Sequence, residues 1–300
     1  VRLVLTAQSN NGCPTVVQDE ILVTINPPAT VDAGVDQTLC EGDIVLLTGV
    51  ATNSTNTVWT TTGSGVFVPD ASSLNAQYQP APSDFSSGGI SLTLTVDGIG
   101  SCATEKDDMI VTFAPAPDVY AGADAEICVG DDYDLVDATL TNGQNIQWSI
   151  LDGDGSFVGS VNSVNPSYSP GPQDLIDGVV TLRLSADGIN PCQNTVSDDV
   201  VITITPLPTL SVVPNFTVCE GEITITGTQA ANYSSVQWQI IQGTGTLNLA
   251  DPLAPIYTTS ATDVVNGTVT LRATANGNGA CTMNAVQEDV ILTISESGTV

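Results

Sequence analysis

The chain has 300 residues, of which 4 are basic and 33 acidic, giving a net charge of −29 with no histidine. Nothing on such a surface replaces counterions on phosphate or holds an anionic leaflet, which excludes nucleic-acid binding and attachment to an anionic membrane. Aromatic residues are only 5% of the chain, while Val, Ile, Leu, Thr and Ser abound, a composition of strands rather than helices.

Residues 1–28 hold two strands around Cys13, the second beginning at Asp19–Glu20. They read as the C-terminal strands of a truncated module, and two strands alone fill no core. The opening "VRLVLTA" starts in mid-strand, so the chain is expected to be a piece of something longer. It shows no secretory leader and no apolar run long enough to span a bilayer, so membrane insertion is not expected.

A proline joint, "NPPA" at 26–29, leads into a first full module, residues 29–117. "VDAGVDQTLC" is its first strand and "DIVLLTGV" its second; the third carries Trp59. "GSG" at 63–65 reads as a tight turn, followed by a strand with Tyr78. Asp84 and Gly88 bracket one expected helical turn, the aspartate capping its start and the glycine releasing its end. Ile90, Leu92, Leu94 and Val96 then alternate with polar residues, the pattern of a strand with one buried face. The turn "VDGIGSC" ends at Cys102, and "DDMIVTF" closes the module.

The same order recurs in residues 118–208, with Cys128, Trp148, "GDG", Tyr168, Asp174, Gly178 and Cys192, after the joint "APAP". It recurs again in 209–300, with Cys219, Trp238, "GTG", Tyr257, Asp263, Gly267 and Cys281, after the joint "TPLP". Cys13, Cys102, Cys192 and Cys281 stand 89, 90 and 89 residues apart, and the tryptophans 89 and 90 apart. A period this regular marks tandem repeats. Each repeat has about seven strands with a tryptophan on the third, which predicts an all-β fold of immunoglobulin-like β-sandwich modules in an extended rod. Trp59, Trp148 and Trp238 are assigned to the core, because Trp148 and Trp238 alternate with Ile and Val and Trp59 holds the same place in its repeat.

The residues "AGVDQTLCEGD", the tryptophan strand, "GSG", "YQPAPSD", "GGISLTLTVDGIGSC" and "DDMIVTF" resemble a known repeat. They are similar to the PKD-like, immunoglobulin-like modules of very large Bacteroidetes surface proteins, including SprB-type gliding-motility adhesins exported by type IX secretion. The resemblance covers the whole chain and implies an extracellular stalk or filament on a bacterial cell surface. The third module departs from it at "VVPNFTVCEGE", which lacks the "AG-D" opening.

Without histidine there is no Ser-His-Asp or Cys-His constellation, and the carboxylates recur alike in every module, so an enzyme is not expected. Lys106 is the only lysine, so a Lys–Asn cross-link repeated in each module is excluded. The acidic groups raise Ca²⁺ as a possible cofactor, held by oxygen ligands. The candidates are Asp43 and Asp131 beside the first cysteines, Asp97 and Asp187 at strand ends, and Asp107, Asp108, Asp198, Asp199 and Asp289 opening the last strands. The other reading of these carboxylates is a solvated acidic surface, and no segment matches a dedicated Ca²⁺ loop. Asn53, Asn215, Asn232 and Asn266 begin N-x-[ST] triplets, read as loop composition.

Seven regularly spaced cysteines in an acidic β-protein point to disulfides and an extracellular, oxidising setting. One pairing is intramodule: Cys40–Cys102, Cys128–Cys192 and Cys219–Cys281. It meets an objection. The first cysteine lies at the turn between the first two strands and the second in the hairpin between the last two, at opposite ends of a sandwich. A seven-residue strand spans about 23 Å, whereas disulfide Cα atoms lie within about 7 Å. The same topology offers inter-module pairs across the proline joints, Cys40–Cys192 and Cys128–Cys281, leaving Cys13, Cys102 and Cys219 for partners outside. Topology favours the second pairing; both stay open.

Three functions are consistent with this pattern. The modules form the shaft of a large surface adhesin, with neighbouring modules of the same chain as their partners. Alternatively they bind a surface polysaccharide or another cell-surface protein, or they are spacers of a secreted enzyme.

Overall fold

The computed structural model describes residues 1–10, 12 and 15–295. Cys13 lies outside the described residues. The fold is all-β, built of tandem immunoglobulin-like sandwiches. The chain divides into two compact units: Val1–Pro117 with Gly188–Asn194, and Asp118–Asp187 with Thr195 onward.

In the first unit, β1 (Arg2–Gln8) and β2 (Val16–Leu22) form an antiparallel hairpin with both faces exposed. The module after it comprises β3 (Thr30–Asp32), β4 (Gln37–Cys40), β5 (Val45–Leu46), β6 (Val50–Thr52), β7 (Ser54–Thr61), β8 (Val66–Val68), β9 (Gln77–Gln79), α1 (Pro82–Ser86), β10 (Gly89–Gly98) and β11 (Glu105–Ala114). One layer is the sheet β4-β11-β10-β7; the other is made of β3-β6 and β5-β9-β8. The alternation of β10 puts Ile90, Leu92, Leu94 and Val96 between the layers, against Trp59, Tyr78, Met109 and Val111.

The second unit holds two such sandwiches. The first has β12 (Asp118–Tyr120), β13 (Ala125–Cys128), β14 (Tyr133–Asp134), β15 (Thr139–Thr141), β16 (Gly143–Asp152), β17 (Ser156–Val158), β18 (Ser167–Ser169), α2 (Pro172–Asp177), β19 (Val179–Gly188) and β20 (Thr195–Thr205). The second has β21 (Thr209–Ser211), β22 (Asn215–Cys219), β23 (Glu222–Thr224), β24 (Gln229–Ala231), β25 (Tyr233–Gln242), β26 (Thr246–Asn248), β27 (Ile256–Thr258), α3 (Ala261–Asn266), β28 (Thr268–Gly277) and β29 (Ala285–Ser295). Their sheets repeat the first module's order, and each sandwich has its own core, around Trp148 and Trp238.

Each module has nine strands rather than seven, because the first two strands are each broken. Gly34, at φ 97°, separates β3 from β4. The break between β5 and β6 holds Gly49, where a Cβ would lie 2.8 Å from Leu94 and 2.9 Å from Trp59. In the third module the first break is made by Pro214, whose carbonyl accepts from Ile291 N at 2.8 Å.

Two features of the topology matter for function. The second half of the broken first strand pairs in parallel with the closing strand, β4 with β11, β13 with β20 and β22 with β29. Its last residue is the cysteine, which stands opposite the end of the closing strand: Cys40 opposite Ala114, Cys128 opposite Thr205, Cys219 opposite Ser295. Each module's other cysteine precedes the start of that same strand.

Candidate functional site

In the first unit, Cys40 is bonded to Cys192, with Cα atoms 4.9 Å apart. Glu41 N donates to Ala114 O at 2.8 Å and Cys40 N to Asp43 Oδ2 at 3.1 Å, which fixes the turn that presents Cys40. Cys192 N donates to Ile189 O at 2.8 Å, and Gly188 N to Asn194 O at 2.9 Å. Gly188 is needed for that close hairpin, since a Cβ there would lie 1.7 Å from Cys192 O. The Cys192 sulfur rests 3.5 Å from Ala114 O, at the proline joint.

In the second unit, Cys128 is bonded to Cys281, again with Cα atoms 4.9 Å apart. Val129 N donates to Thr205 O at 2.9 Å, and the Cys281 sulfur lies 3.2 Å from the same carbonyl. Cys281 closes a 3₁₀ turn, Gly279–Cys281, in which its N–H donates to Asn278 O at 2.8 Å. Glu126 ties this turn to the joint: its Oε1 accepts from the Thr205 hydroxyl and from Ala280 N, the latter at 3.3 Å. All four bonded cysteines are buried.

The intramodule pairs Cys40–Cys102, Cys128–Cys192 and Cys219–Cys281 are therefore not formed. The reason is distance along the closing strand. Cys40 stands at the end of the ten-residue strand β11 and Cys102 before its start, roughly 30 Å away at about 3.3 Å per residue. Among the described residues the free thiols are Cys102 and Cys219. Cys102 occupies the same station as Cys192 and Cys281. Its sulfur is 3.8 Å from Pro27 O, and Asn26 Nδ2 donates to Ile99 O at 3.1 Å. Cys219 is exposed at the end of β22.

Two loop asparagines brace the joints. Asn53 and Asn232 adopt φ of 53° and 55° and donate from Nδ2 to Pro28 O at 3.1 Å and to Leu207 O at 3.3 Å. Two of the N-x-[ST] asparagines thus already spend their amides on the backbone.

The candidate calcium carboxylates do not converge. Among the described residues no three Asp, Glu, Cys or His side chains group as a metal site. Instead most of them serve separate bonds. Asp107 accepts from Ala33 N at 2.7 Å and Asp198 from Ala121 N at 2.8 Å, holding each first strand to the sheet. Asp97 accepts from Asn56 and Thr104, both at 3.2 Å; Asp187 accepts from Thr195 at 2.7 Å and Asn145 at 3.3 Å. Asp199 and Asp289 are bidentate partners of Arg183 and Arg272, at 2.7 and 2.8 Å. Asp43 and Asp131 close the turns after Cys40 and Cys128, each donating its N–H at 3.0 Å. Asp108 stands across from Thr93.

A second constellation joins motifs that are separate in sequence. In the first module Tyr78 OH donates to Asp84 Oδ2 at 2.8 Å and accepts from Gly65 N at 2.7 Å. Asp84 also accepts from Ser64 N at 2.7 Å and Ala81 N at 3.0 Å. Tyr168 with Asp174 and Tyr257 with Asp263 repeat the arrangement at 2.6 and 2.7 Å. The tyrosine and aspartate are buried in every module. The Gly-x-Gly turn feeds its N–H groups into this carboxylate, and a Cβ on Gly65 would lie 2.1 Å from Gln79 O. The aspartate is thus the third residue of the helix rather than its cap; the cap positions are Ala81, Gly171 and Ser260. Only Ser260 completes a reciprocal box, its Oγ accepting from Asp263 N at 3.1 Å.

Burial alone would raise the pKa of these aspartates. The hydrogen bonds from Ser260 N, Tyr257 and Thr244 N outweigh it and hold Asp263 at about 2. Asp84 and Asp174 shift in the same downward direction for the same reason. Burial, then the carboxylate partner, pushes Tyr257 up to about 12 and Tyr168 upward as well. A node of this kind is fully satisfied and ionised, a fastener rather than an acid or base poised near neutrality.

Trp59, Trp148 and Trp238 lie in the three cores. Trp148 Nε1 donates to Val164 O at 3.1 Å and Trp238 Nε1 to Pro252 O at 2.8 Å, whereas Trp59 Nε1 is buried without a partner.

No protein-family model matches the chain, and no curated protein matches it. Among solved structures it is similar to extracellular cadherin domains 3–6 of protocadherin gamma B2, with TM-score 0.44 and 12% identity over 99% of this chain and 83% of that one. It is also similar to a three-immunoglobulin-domain segment of titin, an E-to-A variant, with TM-score 0.41 and 11% identity over 90% and 99%. Mouse cadherin-23 domains EC22–24 give TM-score 0.38 and 12% identity over 90% and 99%.

Proposed function

We propose that the chain is a non-catalytic structural repeat region, the stalk of a large adhesin exposed on a bacterial surface. The observation that carries this reading is the disulfide register: at two successive proline joints, the first-strand cysteine of one repeat is bonded to the last-hairpin cysteine of the next. A bond in that position lies outside the three module cores, which pack around their own strands and tryptophans. It fixes a joint, which is what a shaft that stands off a cell or transmits pull requires. The resemblance of the repeats to SprB-type modules supports assigning the stalk to a gliding-motility adhesin exported by type IX secretion. Surface polysaccharide or another surface protein would then be met by parts of the protein other than these repeats.

The test is antibody raised against the 300-residue chain, applied to intact and permeabilised cells of the source organism. Labelling of intact cells that disappears when type IX secretion is disabled is the expected result. Signal confined to permeabilised cells overturns the reading.

A further inference from the structure

The bonded cysteines alternate along the chain: Cys40, Cys128, Cys192 and Cys281, with the first joined to the third and the second to the fourth. The two closed loops therefore overlap across residues 128–192, instead of nesting or following one another. Each disulfide is a node, and three lengths of backbone run between the two nodes: 40–128, 128–192 and 192–281. Bonds inside each module would leave a single backbone at every linker. Here no point between residues 41 and 280 carries the chain alone.

We propose that the overlapping disulfides make residues 40–281 a triply connected segment whose shortest length limits how far the protein stretches. Its use under load rests on the stalk reading; the covalent network does not. Pull applied at the two ends reaches the first node through residues 1–40 and leaves the second through 281–300. Between the nodes three lengths run in parallel, and the shortest, 128–192, is the first to become taut and then bears the load. That length lies wholly within the second module and is traversed against chain direction. When it is straight, the other two are still slack, so the loops they contain stay unstretched. The taut route holds about 125 residues and spans at most about 440 Å, against about 1,050 Å for 300 residues without cross-links. The same connectivity makes the segment tolerant of nicks: for cuts that fall between residues 40 and 281, separating residue 1 from residue 300 takes one in each of the three lengths. The burial of all four sulfur-bearing residues restricts attack by external thiolates and so preserves the network.

Single-molecule stretching of the full chain from its two termini, with the remaining thiols alkylated, measures the limit directly. The oxidised chain is expected to reach a final contour length roughly 2.4-fold shorter than the reduced chain or the double variant Cys40→Ser/Cys128→Ser. The endpoint counts covalent connections, so a variant that folds poorly still reads correctly. An oxidised chain that extends as far as the double variant overturns the proposal. A protease site inserted at the exposed Asn162–Ser163 turn gives a second readout. Cleavage should leave one species on a non-reducing gel and two fragments after reduction. Two fragments without reductant overturn the proposal as well. Failure of surface labelling would remove the stalk reading and leave both of these results untouched.

Discussion

The Tyr–Asp node sets the module's acid sensitivity residue by residue. Asp263 ionises at about 2 in the folded chain against 3.8 for an ordinary aspartate. A group whose folded pKa is depressed binds fewer protons in the native state, so its contribution is complete above pH 3.8 and lost as pH falls through about 2. Melting temperature should therefore decline between pH 4 and 2. In Asp263→Asn that decline should be shallower, since one of the three depressed carboxylates of the Tyr–Asp nodes is gone. At pH 7 the variant should be less stable by about 1–3 kcal/mol, because the amide keeps one of the two acceptor oxygens and its NH2 faces the donors of the other, either Tyr257 OH and Ser260 N or Thr244 N. Calorimetry across the pH series checks both; an equally steep acid limb in the variant would refute the assignment. The tryptophans give a second residue-level comparison. Trp148→Phe breaks a bond to Val164 O, whereas Trp59→Phe removes an indole N–H that has no partner. The first substitution should cost about 1 kcal/mol more than the second in denaturant titration, beyond the packing loss they share.

At the scale of elements, the last hairpin of each module decides whether a joint can be stapled. Gly188→Ala places a Cβ 1.7 Å from Cys192 O, so the hairpin must open and carry Cys192 away from Cys40. The expected outcome is additional free thiol in a colorimetric titration of the denatured, unreduced chain, with the Cys128–Cys281 bond retained. Unchanged thiol content would show that the hairpin tolerates the methyl group. Elements of this kind were the most legible in sequence, because alternation at period two leaves little choice about which face of β10, β19 or β28 is inside. The length of the closing strand was legible too, and it separates the two cysteines of one module. The node was not. Gly245, Tyr257 and Asp263 each have an ordinary local reading, as turn, core and cap, and only the packing of β27 and α3 brings them together. The bonding of the acidic residues is not legible either, for a different reason: sequence shows charge but not direction. Asp198 and Asp199 are neighbours on one strand and so face opposite ways, one to the backbone of Ala121 and the other to Arg183.

Over the whole molecule, charge and cross-links act in opposite senses. A net charge of −29 resists compaction through self-repulsion, and the two disulfides remove disorder from the unfolded chain. Each closes a loop of about 150 residues, for which chain entropy gives on the order of 5 kcal/mol. Reduction should therefore lower the melting temperature markedly, and more so at low ionic strength, where the repulsion is least screened. Cations are expected to enter the same balance by screening. Asp97, Asp107, Asp187, Asp198, Asp199 and Asp289 accept separate hydrogen bonds or ion pairs, and no three of the described acidic or thiol groups meet at one point. Added Ca²⁺ should then raise the melting temperature no more than Mg²⁺ at the same concentration, and a chelator should leave the purified chain unchanged. A saturable rise specific to Ca²⁺ would mean that oxygen ligands assemble in a way the separate bonding of Asp97, Asp107, Asp187 and Asp198 does not provide. Measured side by side in oxidised and reduced chains, the cation series also separates screening from cross-linking. Screening should act on both forms, whereas the gain from the disulfides should vanish with them.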